Sequence, residues 1–346
     1  MRRILFAAIL FSSLILPVHA LDISAPEAPE AALEMMQDEP DSFSEGFLFI
    51  LRQAIPKIAP AFSESIQICA AMTGVCILLS LVDNLPGKNI EVLRVCAAMI
   101  LGGVMLSASK SLVVLGTDTV VQISEYGKLL LPVLTAALTA EGGLTSSAAL
   151  YAGTAFFNAI LSAVITKLMI PMIYAYLCVS ISAGAVEAPI LQKMKELIKW
   201  LMSWILKIIL YVFTGYISIT GVVSGNTDAA ALKATKLAIS GAVPVVGSIL
   251  SDASEAVLVS AGFVKNAAGI YGLLAMLALW ISPFVQIGVQ YLLVKTTAGF
   301  CAMFSSKNVV QIISDFSTVL GLLVAMTGTV CLMQMISIVC FMRGVG

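Results

Sequence analysis

Asp252, Glu255, Lys265 and Asn266 are polar side chains set into a largely apolar stretch, and they are the first candidates for chemistry in this chain. Asp252 and Glu255 stand three residues apart, so a helix carries both carboxylates on one face. Lys265 and Asn266 follow about a helix length later. A carboxylate and an ammonium at low dielectric make either a buried ion pair or the lining of a watery path. The simpler alternative is a helix cap at Ser251 or Asp252 plus a structural ion pair. Just before them the chain reads Gly241-Ala242-Val243-Pro244-Val245-Val246-Gly247. Glycine permits close backbone approach and proline ends a helix, so Gly241, Pro244 and Gly247 predict a re-entrant hairpin. Broken backbone at membrane depth persists only where protein or water satisfies its free N–H and C=O groups, so the hairpin is expected to face the interior of a helix bundle.

Several other chemistries lack their residues. The one histidine, His19, falls in an N-terminal leader, which removes His-based triads and His-containing metal sites. There is no Walker loop, no dinucleotide-binding glycine fingerprint and no Cys-x-x-Cys pair. The seven cysteines, Cys69, Cys76, Cys96, Cys178, Cys301, Cys331 and Cys340, are scattered through apolar segments and read as small buried hydrophobes. An intramembrane aspartyl protease needs two facing Asp, and Asp252 has no convincing second. The reading is a non-enzyme with no cofactor and no metal.

The elements that position these residues follow from composition. Apolar residues make up 60% of the chain and charged residues 11%, with a mean hydropathy of +1.02, whereas a soluble domain carries roughly 25% charged residues. The expected fold is therefore an all-α polytopic integral membrane protein in the lipid bilayer. A net charge of -1, with no basic cluster larger than Lys193, Lys195 and Lys199, leaves no footprint for nucleic acid.

Residues 1–20 have the form of a signal peptide: Arg2-Arg3, an apolar run from Ile4 to Leu16, and Val18-His19-Ala20 after Pro17. Residues 21–46 are an acidic extracytoplasmic tether without Lys or Arg, expected to hold little fixed structure. Residues 47–65, broken by Arg52, Pro56, Lys57 and Pro60, suit an amphipathic helix lying in the membrane interface. Residues 66–346 form the polytopic domain, with spans near Ile66 to Val82, Val95 to Leu115, Ala149 to Tyr176, Trp200 to Val223, Ala267 to Val294 and Thr318 to Phe341. That gives about six transmembrane helices; five and seven stay open, the seventh by a split at Pro171. Lys and Arg divide evenly between the two sides, so orientation rests on the signal peptide.

Two stretches look too broken to cross, Glu125 to Gly143 and Lys236 to Asp252, and they predict two Pro-centred re-entrant hairpins. An offset of 112 residues carries Pro132 onto Pro244 and Pro171 onto Pro283, which suggests a parallel internal repeat with units at about 95–182 and 200–294. Lys110, Lys167 and Lys207 sit inside apolar runs and are expected to snorkel to the interface.

Lys236, Gly241, Pro244-Val245-Val246-Gly247, Leu250-Ser251-Asp252-Ala253 and Lys265-Asn266-Ala267-Ala268-Gly269 with Gly272 resemble the signature region of the stage III sporulation protein AE family of endospore-forming bacteria. The resemblance implies a subunit of the channel, akin to a secretion apparatus, that joins mother cell and forespore and supports late forespore gene expression. It also implies a multi-pass place in the mother-cell membrane around the forespore. The partners it implies are the other AA-to-AH proteins, including the AA ATPase and the AH ring component, and indirectly the forespore Q protein. The alternative from the residues themselves is a secondary permease for a small solute, with its site at the repeat interface.

Overall fold

The computed structural model describes residues 25–36, 42–83, 90–186, 188–242 and 247–343, with backbone alone for 82–83, 90–91, 93–94 and 221–264. The leader at 1–20 and Pro244 lie outside the described residues. In order come α1 (Glu30–Leu33), α2 (Phe43–Asp83), α3 (Ile90–Ala140), α4 (Leu144–Val164), a π-helical turn (Ile165–Met169), α5 (Ile170–Ala185), α6 (Pro189–Ala242), α7 (Gly247–Cys301) and α8 (Lys307–Arg343). Among the described residues, six helical segments are long and apolar enough to cross a membrane: Phe43–Leu81, Val95–Ala140, Leu144–Ala185, Pro189–Thr220, Lys265–Cys301 and Lys307–Arg343. Four of them contain an expected span whole, and Phe43–Leu81 and Pro189–Thr220 overlap the spans expected at Ile66 to Val82 and Trp200 to Val223.

Lipid offers no hydrogen bonds, so apolar runs of this length close their backbone groups within helices. Thr hydroxyls in those runs do the same locally. Thr117, Thr119 and Thr135 donate to the carbonyls of Val113, Leu115 and Leu131 at 2.6–2.7 Å.

The first helical hairpin is made by glycine, not proline. Gly142 has φ 98°, its N–H donates to Thr139 O at 3.0 Å, and the Gly143 N–H donates to Leu138 O at 3.0 Å. This paired pattern is a Schellman motif, and its left-handed residue is accessible to glycine without a Cβ penalty. Pro132 lies inside α3 on an exposed position, so the expected re-entrant hairpin at 125–143 is replaced by the end of a continuous helix and a tight turn. At the second expected hairpin, α6 ends at Ala242 and α7 starts at Gly247, which brackets Pro244. The corresponding helix ends, Ala140 and Ala242, are 102 residues apart, so the 112-residue proline register does not align them.

Pro171 does not split its span. In a regular α-helix its ring would collide with the Lys167 carbonyl. The π turn relieves that contact by widening, with the Ile170 N–H reaching Ile165 O, and the helix runs on to Ala185. Pro283 is buried inside α7.

Residues 47–65 are not a separate interfacial element, because α2 is unbroken from Phe43 to Asp83 through Pro56 and Pro60. Part of the acidic tether is also ordered. Ala28, Ala32, Met35 and Met36 are buried, the Ala28 N–H donates to the Tyr271 hydroxyl at 3.3 Å, and Tyr126 donates to Pro26 O at 3.4 Å. These apolar residues recur at helical spacing between the acids, and that stripe docks the segment on the bundle.

The last two spans form the centre. Half or more of the most apolar stretch is buried in α7 (50%) and α8 (56%), against 22% in α2 and in α6. Elsewhere a small residue sets the distance between helices: the Cβ of any larger residue at Gly153 would meet the Tyr216 ring, whose hydroxyl donates to Ala149 O at 3.0 Å. Replacing Gly153 by leucine should therefore lower stability by about 1–3 kcal/mol through overpacking. Gly215→Ala, with nothing near its added Cβ, should stay within about 0.5 kcal/mol, and thermal unfolding in detergent compares the two.

Alternation of the helices puts Ser42, before α2, and Lys193, early in α6, at opposite ends of the bundle. In a background without native cysteines, membrane-impermeant thiol labelling of Ser42→Cys and Lys193→Cys should succeed from opposite sides. Labelling of both from one side would refute the six-span path.

Candidate functional site

Asp315 lies in the third turn of α8 and is buried, with both carboxylate oxygens engaged. Tyr176 and Ser180 of α5 donate to Oδ1 at 3.1 Å and to Oδ2 at 2.6 Å, Gln311 donates to Oδ1 at 2.9 Å, and the buried Lys195 ammonium of α6 pairs with Oδ2. Tyr176 and Ser180 share a helix face because they are four residues apart, and Gln311 reaches Asp315 by the same spacing. One carboxylate thus ties three helices near their ends at one end of the bundle.

A second pair closes the opposite end. Lys265 of α7, 2% exposed, bonds Glu141 in the turn between α3 and α4. An ion withdrawn from water needs this kind of partner, because the ammonium alone would be strongly penalised.

Between the two ends, α3, α4 and α8 contribute buried polar groups. Asn158 Nδ2 donates to Ser124 O at 3.1 Å, whereas Asn158 Oδ1, the Ser124 and Thr154 hydroxyls and Gln334 Nε2 make no hydrogen bond within the protein. A Cβ at Gly127 would sit 2.7 Å from Gln334 Nε2, so the glycine leaves room for that amide.

The sequence candidates divide. Lys265 is at a functional-looking position, but its partner is Glu141. Asp252 lies 13 residues earlier on the same helix, and the backbone holds it about 20 Å away along the axis, too far for the direct pair that is one of its two expected roles. Asn266 is exposed. Gly241 lies in the last turn of α6 and Gly247 opens α7; Asp252 and Glu255 share the α7 backbone, and their side chains lie outside the description. Lys110, Lys167 and Lys207 are all exposed on the bundle surface. Sequence reasoning missed Asp315 because the 295–317 stretch was read as a loop. The available signal was a lone acid in an apolar helix with Gln311 one turn before it.

Helix order, apolar surface and cross-braced interior define a polytopic all-α membrane protein, with six helices among the described residues long and apolar enough to span a bilayer. The profile of the Stage III sporulation protein AE family matches residues 35–344, and the chain belongs to that family. It is similar to the stage III sporulation protein AE of Bacillus subtilis (strain 168), with 22% identity over 262 residues, 72% of this chain and 65% of that protein. No solved structure matches it.

Removing one partner of the Asp315–Lys195 pair leaves a buried charge, so Asp315→Ala and Lys195→Ala should each destabilise by about 3–5 kcal/mol. The double variant should lose clearly less than their sum. Unfolding of the purified variants in detergent measures this; strict additivity would mean the two residues do not act as a pair.

Proposed function

We propose that this protein is a non-catalytic membrane subunit of the complex, akin to a secretion apparatus, that links the mother cell to the forespore during endospore development. The observation that carries this reading is membership of a sporulation family over residues 35–344. Its place is the mother-cell membrane around the forespore. Its partners are the other AA-to-AH proteins, among them the AA ATPase and the AH ring component, with the forespore Q protein reached indirectly.

The geometry favours a platform over an ion-coupled carrier. Coupling requires a titratable group that exchanges its partner along a path, and the buried Asp315 already accepts four donors from α5, α6 and α8. Glu141 holds Lys265 in a similar lateral tie. Two braces at opposite ends suit a rigid bundle on which other subunits assemble, with the polar groups of Ser124, Thr154, Asn158 and Gln334 inside it.

Affinity purification of the tagged chain from sporulating cells should recover the AA ATPase and the AH ring component. The chain reconstituted alone in liposomes should move no solute. Solute uptake by the chain alone, with no partner recovered, would overturn the platform reading in favour of a permease.

A further inference from the structure

A cavity of about 490 Å³ lies between α2, α3 and α7, within the size range of small-molecule sites. Lys57, Glu64, Ser65, Ser111, Gln286 and Gln290 supply its polar wall. Gln290 is 3% exposed, and its Oε1 accepts a hydrogen bond from Ser65 Oγ at 2.6 Å. That bond orients the amide, and Nε2 is left without an acceptor in the protein. A buried donor of this kind calls for an oxygen from a ligand.

The charges at the mouth restrict which ligand. Lys57 Nζ lies 3.9 Å from a Glu34 oxygen, and Glu64 is exposed without a cationic partner among the described residues. Two carboxylates face one ammonium, so an anion alone is disfavoured and a group that brings its own cation is favoured. On α2 the residues Lys57, Ala61, Glu64, Ser65 and Ile68 share one helical face by their spacing, and from Ile66 onward the helix is apolar. The cavity therefore stands where α2 passes from mixed to apolar character, between three helices long and apolar enough to cross a bilayer, so an amphiphile can reach it as well as a solute.

We propose that this cavity binds a small zwitterion whose primary ammonium lies beside an oxyanion, the chemistry of a phosphoethanolamine headgroup. The ammonium pairs with Glu64, and the oxyanion accepts from Gln290 Nε2 and Lys57. The group comes either from a membrane lipid or from a soluble molecule. This inference does not depend on the sporulation complex, because binding is a property of the isolated chain.

The test uses the purified full chain in nanodiscs of phosphatidylcholine with graded phosphatidylethanolamine, read by native mass spectrometry, and in detergent titrated with O-phosphoethanolamine. Selective retention of phosphatidylethanolamine identifies the lipid source, and binding of O-phosphoethanolamine without lipid selectivity identifies a soluble one. The exposed variant Glu64→Gln should weaken binding about tenfold, the loss of one charge-assisted hydrogen bond. Gln290→Leu should weaken it similarly. A wild-type protein with its normal thermal transition that binds neither probe, or a Glu64→Gln variant that binds both undiminished, would overturn the proposal.

Discussion

A polar group buried in this bundle can find a partner only within the protein or in a trapped molecule, because neither lipid tails nor packed apolar side chains supply one. The backbone meets this requirement by closing into helices, and the Thr hydroxyls by returning to the carbonyl four residues back. Charges cannot be satisfied so locally. Lys195 and Asp315 are tied across α6 and α8, and Lys265 is tied to Glu141 across α7 and the α3–α4 turn. Those two ties fix the ends of the bundle, and the packing of the apolar faces follows between them.

The same requirement explains how the prolines are tolerated. Pro171 is absorbed by one widened turn, and Pro132 is carried on an exposed face of α3 where its effect on the core is small. The sharp reversal is left to Gly142, whose positive φ no β-branched residue would adopt cheaply. Proline in a membrane helix is thus weak evidence for a chain reversal, and a glycine pair after a helix is stronger.

A carboxylate that already accepts from Tyr176, Ser180, Gln311 and Lys195 is poorly placed to pick up and release a proton or an ion on each cycle. It is well placed to hold three helices in one arrangement. Gln290 Nε2 in its cavity, and Asn158 Oδ1, Gln334 Nε2 and the Ser124 and Thr154 hydroxyls in the interior, make no hydrogen bond within the protein and are the atoms open to a bound molecule or water.

The sequence alone determined the class and the spans, because the bilayer constraint acts over about twenty consecutive residues and is written in composition. It also marked Lys265, since an ionisable residue in an apolar run stands out wherever it lies. It did not reveal the docking of Ala28, Ala32, Met35 and Met36, whose apolar stripe is hidden among acids. Only the tertiary structure decided which charges meet. Lys195 finds Asp315 across 120 residues of chain and Lys265 finds Glu141 across 124, and no local spacing encodes such a pairing. The nearby Asp252 was the better guess by sequence distance, and it fails because a continuous helix holds it about 20 Å away.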